Sequence, residues 1–232
     1  TAAFADLIQS VSGLLLALFI MLHLILEASI LIGPETMYRV AKFFEGYPLF
    51  GKPYPQLVSM FAIVIFLLIV MHALLAMRKF PGNEAAWKSL FIHYRRLKHT
   101  DTGLWLLQAV TGFLLFWLIS PHLYQMFTQP EMIGPYASAE RIYQTPLWPL
   151  YVILLIVVIL HAFTGLYRLS LKWLGGMPVR AALRRKRIKR MMWILMLFYL
   201  LIGLASLGKY MMTGYQLKDS PGIRYQPEPQ GL

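Results

Sequence analysis

The sequence has no cysteine among its 232 residues, which excludes disulfides, thiolate nucleophiles and any iron–sulfur cluster held by this chain through the usual ligands. Charge is scarce too. Asp, Glu, Lys and Arg together make up 14% of the residues, and the polar remainder is too short to build a soluble catalytic domain. Acidic residues are the rarer sign, 10 against 22 Lys plus Arg, for a formal net charge of +12. That excess would suit a nucleic-acid partner if it were gathered on one soluble face. Here the cations stand in short stretches between apolar runs, where they act as topology signals, so a lipid bilayer is expected and nucleic acid is not. No low-complexity tract and no convincing internal repeat is visible, and no basic region or small-residue cleavage site precedes the first apolar run.

Hydrophobic residues, in contrast, are abundant at 58%. The stretch Leu57 to Met77 holds 21 residues without a charge, enough at about 1.5 Å per residue to cross a hydrocarbon layer of about 30 Å. Four further spans are read at about Leu7 to Ile32, Thr102 to Phe127, Leu147 to Leu174 and Met191 to Met212, the second span reaching back to Gln56. The expected fold is all-α, an integral membrane bundle of five transmembrane helices over residues 1–215 with a polar tail at 216–232. The connection after Gly33-Pro34 mixes basic and aromatic residues at helical spacing and is expected to hold a short interfacial helix. Pro121 is positioned to kink the third span. Of the 22 Lys and Arg, 15 lie between Arg78 and Lys98 or between Arg168 and Arg190. The positive-inside rule puts both turns and the N-terminus in the cytoplasm, and the C-terminus outside.

Four of the spans carry one histidine each: His23, His72, His122 and His161. An imidazole inside hydrocarbon has no water to pair with, so it finds a protein partner, lines a cavity or binds a metal. One such histidine is as readily a packing residue as a ligand. Depth within each span separates the four into two levels. His23 and His122 fall roughly 24 to 30 Å from the cytoplasmic side, and His72 and His161 roughly 9 to 18 Å, at about 1.5 Å per residue. The expected pairs are therefore His23 with His122 and His72 with His161. A haem iron with two histidine ligands has no open position and suits electron transfer, whereas zinc would want more ligands per site.

With intervals of 49, 50 and 39 residues between successive histidines on successive spans, the chain resembles the diheme cytochrome b subunit of quinol:fumarate reductases and succinate:quinone reductases, the class with one large membrane subunit and two haems. The resemblance covers nearly the whole chain. It implies two haem b groups, the outer on His23 and His122 and the inner on His72 and His161, in agreement with the pairing from depth. It also implies menaquinol as electron donor, a flavoprotein subunit with FAD that reduces fumarate, and an iron–sulfur subunit between that flavin and the inner haem. It leaves room for a dimer of the whole complex and for the reverse direction, succinate oxidation. The basic turns, with His93 and His99, are the expected docking face for the partner subunits.

By the same resemblance, Glu45 takes the place of the quinol-site glutamate that accepts a proton. Gln9, Ser10, Trp105 and Lys172 suit the propionates of the inner haem, and Arg141 those of the outer one. One departure stands out: where some members carry a glutamate two residues before the fourth histidine, this chain has Ile159. Glu27, one turn beyond His23, is an embedded carboxylate in the outer half. The rival readings are the cytochrome b of a hydrogenase or formate dehydrogenase, and a haemless anchor or transporter.

Overall fold

The computed structural model of the chain describes residues 1–97, 100–145, 147–173 and 181–227. These residues form helices and turns, with no strand among them. Five helices are long and apolar enough to cross a membrane. They are α1 (Ala2–Glu27, prolonged by a 3-10 turn Ala28–Leu31), α4 (Gln56–Met77), α6 (Thr100–Thr128), α8 (Trp148–Trp173) and α9 (Ala181–Gln216). Between them lie the shorter α2 (Pro34–Phe44), α3 (Tyr47–Phe50), α5 (Glu84–Leu97) and α7 (Pro135–Tyr143).

Local chemistry explains most boundaries. Gly33 is followed by Pro34 at the first position of α2, where a missing N–H costs nothing. Gly46 ends α2 with φ at +81°, a conformation that glycine adopts without strain, and its N–H bonds the Phe43 carbonyl at 3.0 Å. Helix α6 runs through Pro121 without interruption, although proline cannot donate to the carbonyl four residues earlier.

The sequence reading placed several elements differently. The first span starts at Ala2 rather than Leu7, because Asp6 is neutralised by Arg78 at 2.7 Å, Lys79 at 3.1 Å and Lys172 at 3.6 Å. The basic turn after α4 contains a 14-residue amphipathic helix, α5, and the connection after α6 contains α7. The basic run around Arg184 to Arg190 is the first part of α9, not a loop. Lys98, His99, Pro146 and residues 174–180, including Leu174 and Arg180, lie outside the described residues.

The four histidine-bearing helices make a closed ring. Substantial contacts run from α1 to α4, α4 to α6, α6 to α8 and α8 back to α1, so α1 faces α6 and α4 faces α8 across the middle. Helix α9 packs outside the ring, chiefly on α8 and α7. The seam of α6, α8 and α9 is filled by Leu104, Leu155, Ile159, Phe163, Tyr167, Met192, Met196 and Tyr199. Outward faces remain apolar and exposed, for instance Leu7, Val11, Leu14, Leu18, Leu22 and Ile25 at helical spacing on α1. A stripe of that kind, uncovered by protein, is the surface an integral membrane protein turns to lipid.

At the end of the bundle that carries His23 and His122, a second cluster joins the 3-10 turn, α2, α7 and α9 through Ile30, Met37, Ala139, Ile142 and Tyr210. The tail after α9 returns to this layer, where Arg224 pairs with Glu140 at 3.0 Å and the Tyr225 hydroxyl bonds Glu35 at 2.8 Å. At Gly214 the backbone of α9 lies close against α7. A methyl there would meet the Tyr143 side chain and lie 2.5 Å from the Ala139 carbonyl, whereas Gly208, two turns earlier, has nothing within 4 Å. Gly214→Ala is therefore expected to cost about 1–3 kcal/mol through overpacking. In thermal melts of the detergent-solubilised protein it should lower Tm, while Gly208→Ala leaves Tm unchanged or higher. Equal melting of the two variants would contradict this packing.

Candidate functional site

The side chains that meet across the ring are the four histidines. At the outer level, α1 presents His23 and α6 presents His122, with ring centroids 6.2 Å apart and planes inclined by 58°. Phe19 stacks on His23 at 5.6 Å, and Tyr151 of α8 meets His122 edge-on at 5.8 Å. The Tyr151 hydroxyl donates to the Gln125 side-chain carbonyl at 3.0 Å. His122 Nδ1 is buried without a hydrogen-bond partner among the described residues. A neutral imidazole has one N–H and one lone pair to satisfy, so the chain leaves this ring incompletely bonded.

At the inner level, His72 of α4 and His161 of α8 are near enough to interact electrostatically. Both are anchored by a neighbouring helix. His161 Nδ1 donates to the Gln108 carbonyl at 3.0 Å, with Thr111 Oγ1 at 3.3 Å. A carbonyl only accepts, so this nitrogen carries the proton and Nε2 keeps its lone pair. His72 Nδ1 lies 3.0 Å from Ser12 Oγ. The glycine after each hydroxyl residue touches the ring. A methyl on Gly13 would come within 2.9 Å of His72 Cε1, and one on Gly112 within 2.8 Å of His161 Cε1.

These contacts expose a repeat that reading the sequence missed. Gln9-Ser10-Val11-Ser12-Gly13 on α1 and Gln108-Ala109-Val110-Thr111-Gly112 on α6 share the pattern Q-x-V-[ST]-G, and each is followed after nine residues by a histidine, His23 or His122. The signal was present at identical spacing. It is short and sits inside two apolar spans where leucine-rich similarity carries little weight.

The residues assigned to the inner end by resemblance are partly assembled. Lys172 Nζ lies 3.2 Å from Ser10 Oγ and also reaches Asp6, while the Gln9 Oε1 atom is buried without a hydrogen-bond partner among the described residues. Trp105 packs edge-on against Phe80 at 6.4 Å. Arg168, unassigned in the sequence reading, bonds the Gln108 side chain. His93 is exposed on α5.

At the outer end Arg141 of α7 bonds the Met132 carbonyl and faces His122 and Tyr151. Glu45 was read as a loop residue, which is usually solvated. It instead caps α2 and is 1% exposed, with Lys42 Nζ 2.8 Å from both carboxylate oxygens. Lys42 was missed, though its place three residues before Glu45 on a helix would have indicated the pair. Nearby Glu35, outside the spans, is held below the usual carboxylate pKa by hydrogen bonds from Arg39 and Tyr225. Glu27, at the end of α1, accepts from the Tyr210 hydroxyl at 3.0 Å.

Comparison with known proteins agrees with this architecture. Residues 87–204 match the family described as succinate dehydrogenase/fumarate reductase transmembrane subunit. The fumarate reductase cytochrome b subunit of Helicobacter pylori is 44% identical over 223 residues, covering 96% of this chain and 86% of the relative. Its counterpart from Wolinella succinogenes is 40% identical over 221 residues, 94% of this chain and 85% of the relative. The succinate dehydrogenase hydrophobic membrane anchor subunit of Archaeoglobus fulgidus is 33% identical over 104 residues, 44% of this chain and 87% of the relative. With a five-span bundle, paired histidines and similarity over most of their length, this chain belongs to the succinate dehydrogenase/fumarate reductase transmembrane subunit family, alongside the cytochrome b subunits of fumarate reductase.

Proposed function

We propose that this chain is the membrane anchor and diheme electron-transfer subunit of a menaquinol:fumarate reductase, with the outer haem b on His23 and His122 and the inner on His72 and His161. The observation that carries the reading is the outer ring pair. His23 and His122 come together from two facing helices with ring centroids 6.2 Å apart, so one metal ion between them would find an imidazole on each side. The donor set also fits. Gly13 and Gly112 keep methyl groups out of the inner site, His122 Nδ1 has bonding capacity to spare, and among the described residues no cluster of three or more His, Cys, Asp or Glu offers a zinc-type site.

Haem b, when bound, supplies one-electron transfer without an open iron position. The chain's own residues set where that happens. Lys172, Ser10 and the Gln9 amide gather beside the inner pair, with Trp105 at the same end, and offer charge and donors to propionates; Arg141 does so at the outer end. Glu45 is the proton acceptor for quinol oxidation, and its burial beside Lys42 keeps bulk water from competing for it. The inner end faces the cytoplasm, following the positive-inside rule. There the exposed cations of α5 and early α9 receive an iron–sulfur subunit, itself coupled to a flavoprotein with FAD. Succinate oxidation is the same path reversed.

Two outcomes are expected. Purified complex should show two low-spin b haems per chain, and His72→Ala or His161→Ala should lose the inner one and keep the outer; unchanged haem content would exclude this ligation. Glu45→Gln should lower quinol oxidation roughly a hundredfold or more, with fumarate reduction from an artificial donor to the soluble subunits intact. Retained quinol activity would remove Glu45 from the reaction.

A further inference from the structure

The hydroxyls of Ser12 and Thr111 are almost fully buried, at 1% and 3% exposure. Each already has an acceptor on its own helix: Ser12 Oγ donates to the Gln9 carbonyl at 3.1 Å, and Thr111 Oγ1 to the Leu107 carbonyl at 2.7 Å. With its proton committed, each oxygen has only lone pairs to offer the imidazole beside it, and an oxygen offering lone pairs selects a ring whose Nδ1 carries hydrogen. The carbonyl of Gln108 imposes the same tautomer on His161. No hydrogen bond satisfies Nε2 of either ring among the described residues.

The two anchors are equivalent by position. Helix α1 holds the histidine of α4, and α6 holds the histidine of α8, each from a Q-x-V-[ST]-G segment 14 residues ahead of an outer histidine. Exchanging α1 with α6 and α4 with α8 maps one anchor on the other and also exchanges the two members of the outer pair.

We propose that Ser12 and Thr111 are positioning residues for the inner metal centre, matched across an internal two-fold. They hold His72 and His161 by Nδ1–H so that both Nε2 lone pairs are presented toward the middle of the ring, while Gly13 and Gly112 let the imidazoles lie against the helix backbones. This rests on the diheme reading above. A bond from Nδ1–H to an oxygen makes the imidazole a stronger donor and stabilises ferric iron over ferrous. The hydroxyls therefore hold the inner midpoint potential below the value the same haem would have without them.

The test uses the intact complex carrying Ser12→Ala or Thr111→Val, with Ser12→Thr and Thr111→Ser as variants that keep the hydroxyl. Haem is counted per chain, each haem is titrated potentiometrically, and the low-spin EPR signals are recorded. The expected result is an upward shift of the inner midpoint and a changed inner EPR signal in the first two, an unmoved outer haem, and near wild-type values in the second two. Inner haem lost only when the hydroxyl is removed supports the proposal as well. Unchanged potential and EPR in Ser12→Ala and Thr111→Val overturn it, as does an equal change or equal failure to assemble in the hydroxyl-keeping variants. A wild-type count below two haems would defeat the diheme reading instead.

Discussion

A histidine ring in the apolar layer of a bilayer must have its polar atoms satisfied by the protein or by something the protein holds, because no water is there to do it. The rest of this bundle follows from meeting that demand four times. The helices bearing these rings form a closed ring of neighbours, so that each histidine points at a diagonal partner rather than at lipid. At the inner level the adjacent helix satisfies one nitrogen of each imidazole, with a hydroxyl for His72 and a hydroxyl and a carbonyl for His161, where most of the span offers only methyl groups. The ring can come that close because the next residue is glycine.

Charge is confined to the two ends and ties the helices there. Asp6 draws Arg78, Lys79 and Lys172 together and so links α1, α4 and α8 at the inner end. Asp101 performs the corresponding task for α6, α8 and α9, accepting from the Tyr167 hydroxyl at 2.9 Å and pairing with Arg185 at 3.0 Å. Exposed pairs contribute little stability individually. Their effect here is to consume carboxylates, which leaves the remaining cations of early α9 as a one-signed surface. The outer end is built differently, from short helices and a returning tail that roof the bundle, and at this end Glu45 is buried beside Lys42.

The five spans were legible because an apolar run of more than 20 residues has few alternative fates. Depth along those spans identified which histidines now stand together at 6.2 Å, since helix rise is constant and direction alternates. What escaped was whatever depends on two segments meeting. Ser12 and Thr111 are unremarkable small polar residues until the helix beside them brings an imidazole. Helix α5 was read as a charged loop because Lys88, Arg95 and Arg96 dominate it, although the half-buried Trp87 and Leu90 give it an apolar side. Glu45 was found only through family resemblance, and its burial emerges only in the folded chain.

The departure at Ile159 from the glutamate that the resemblance suggested has a structural setting. Ile159 is 2% exposed and packed with Leu155, Phe163 and Tyr199 in the seam between α6, α8 and α9. A carboxylate there would lose this packing and carry an unpaired charge into the apolar interior, at a cost far above that of the methyl groups it replaced. Between Tyr151 and His161, α8 has no titratable side chain at all. The carboxylate of the outer half belongs instead to α1, where Glu27 accepts from Tyr210 of α9 and so is tied to the outer end. Position 159 thus offers no proton carrier at mid-bundle, and the titratable side chains at the outer end include Tyr151, edge-on to His122, and Glu27, bonded to Tyr210.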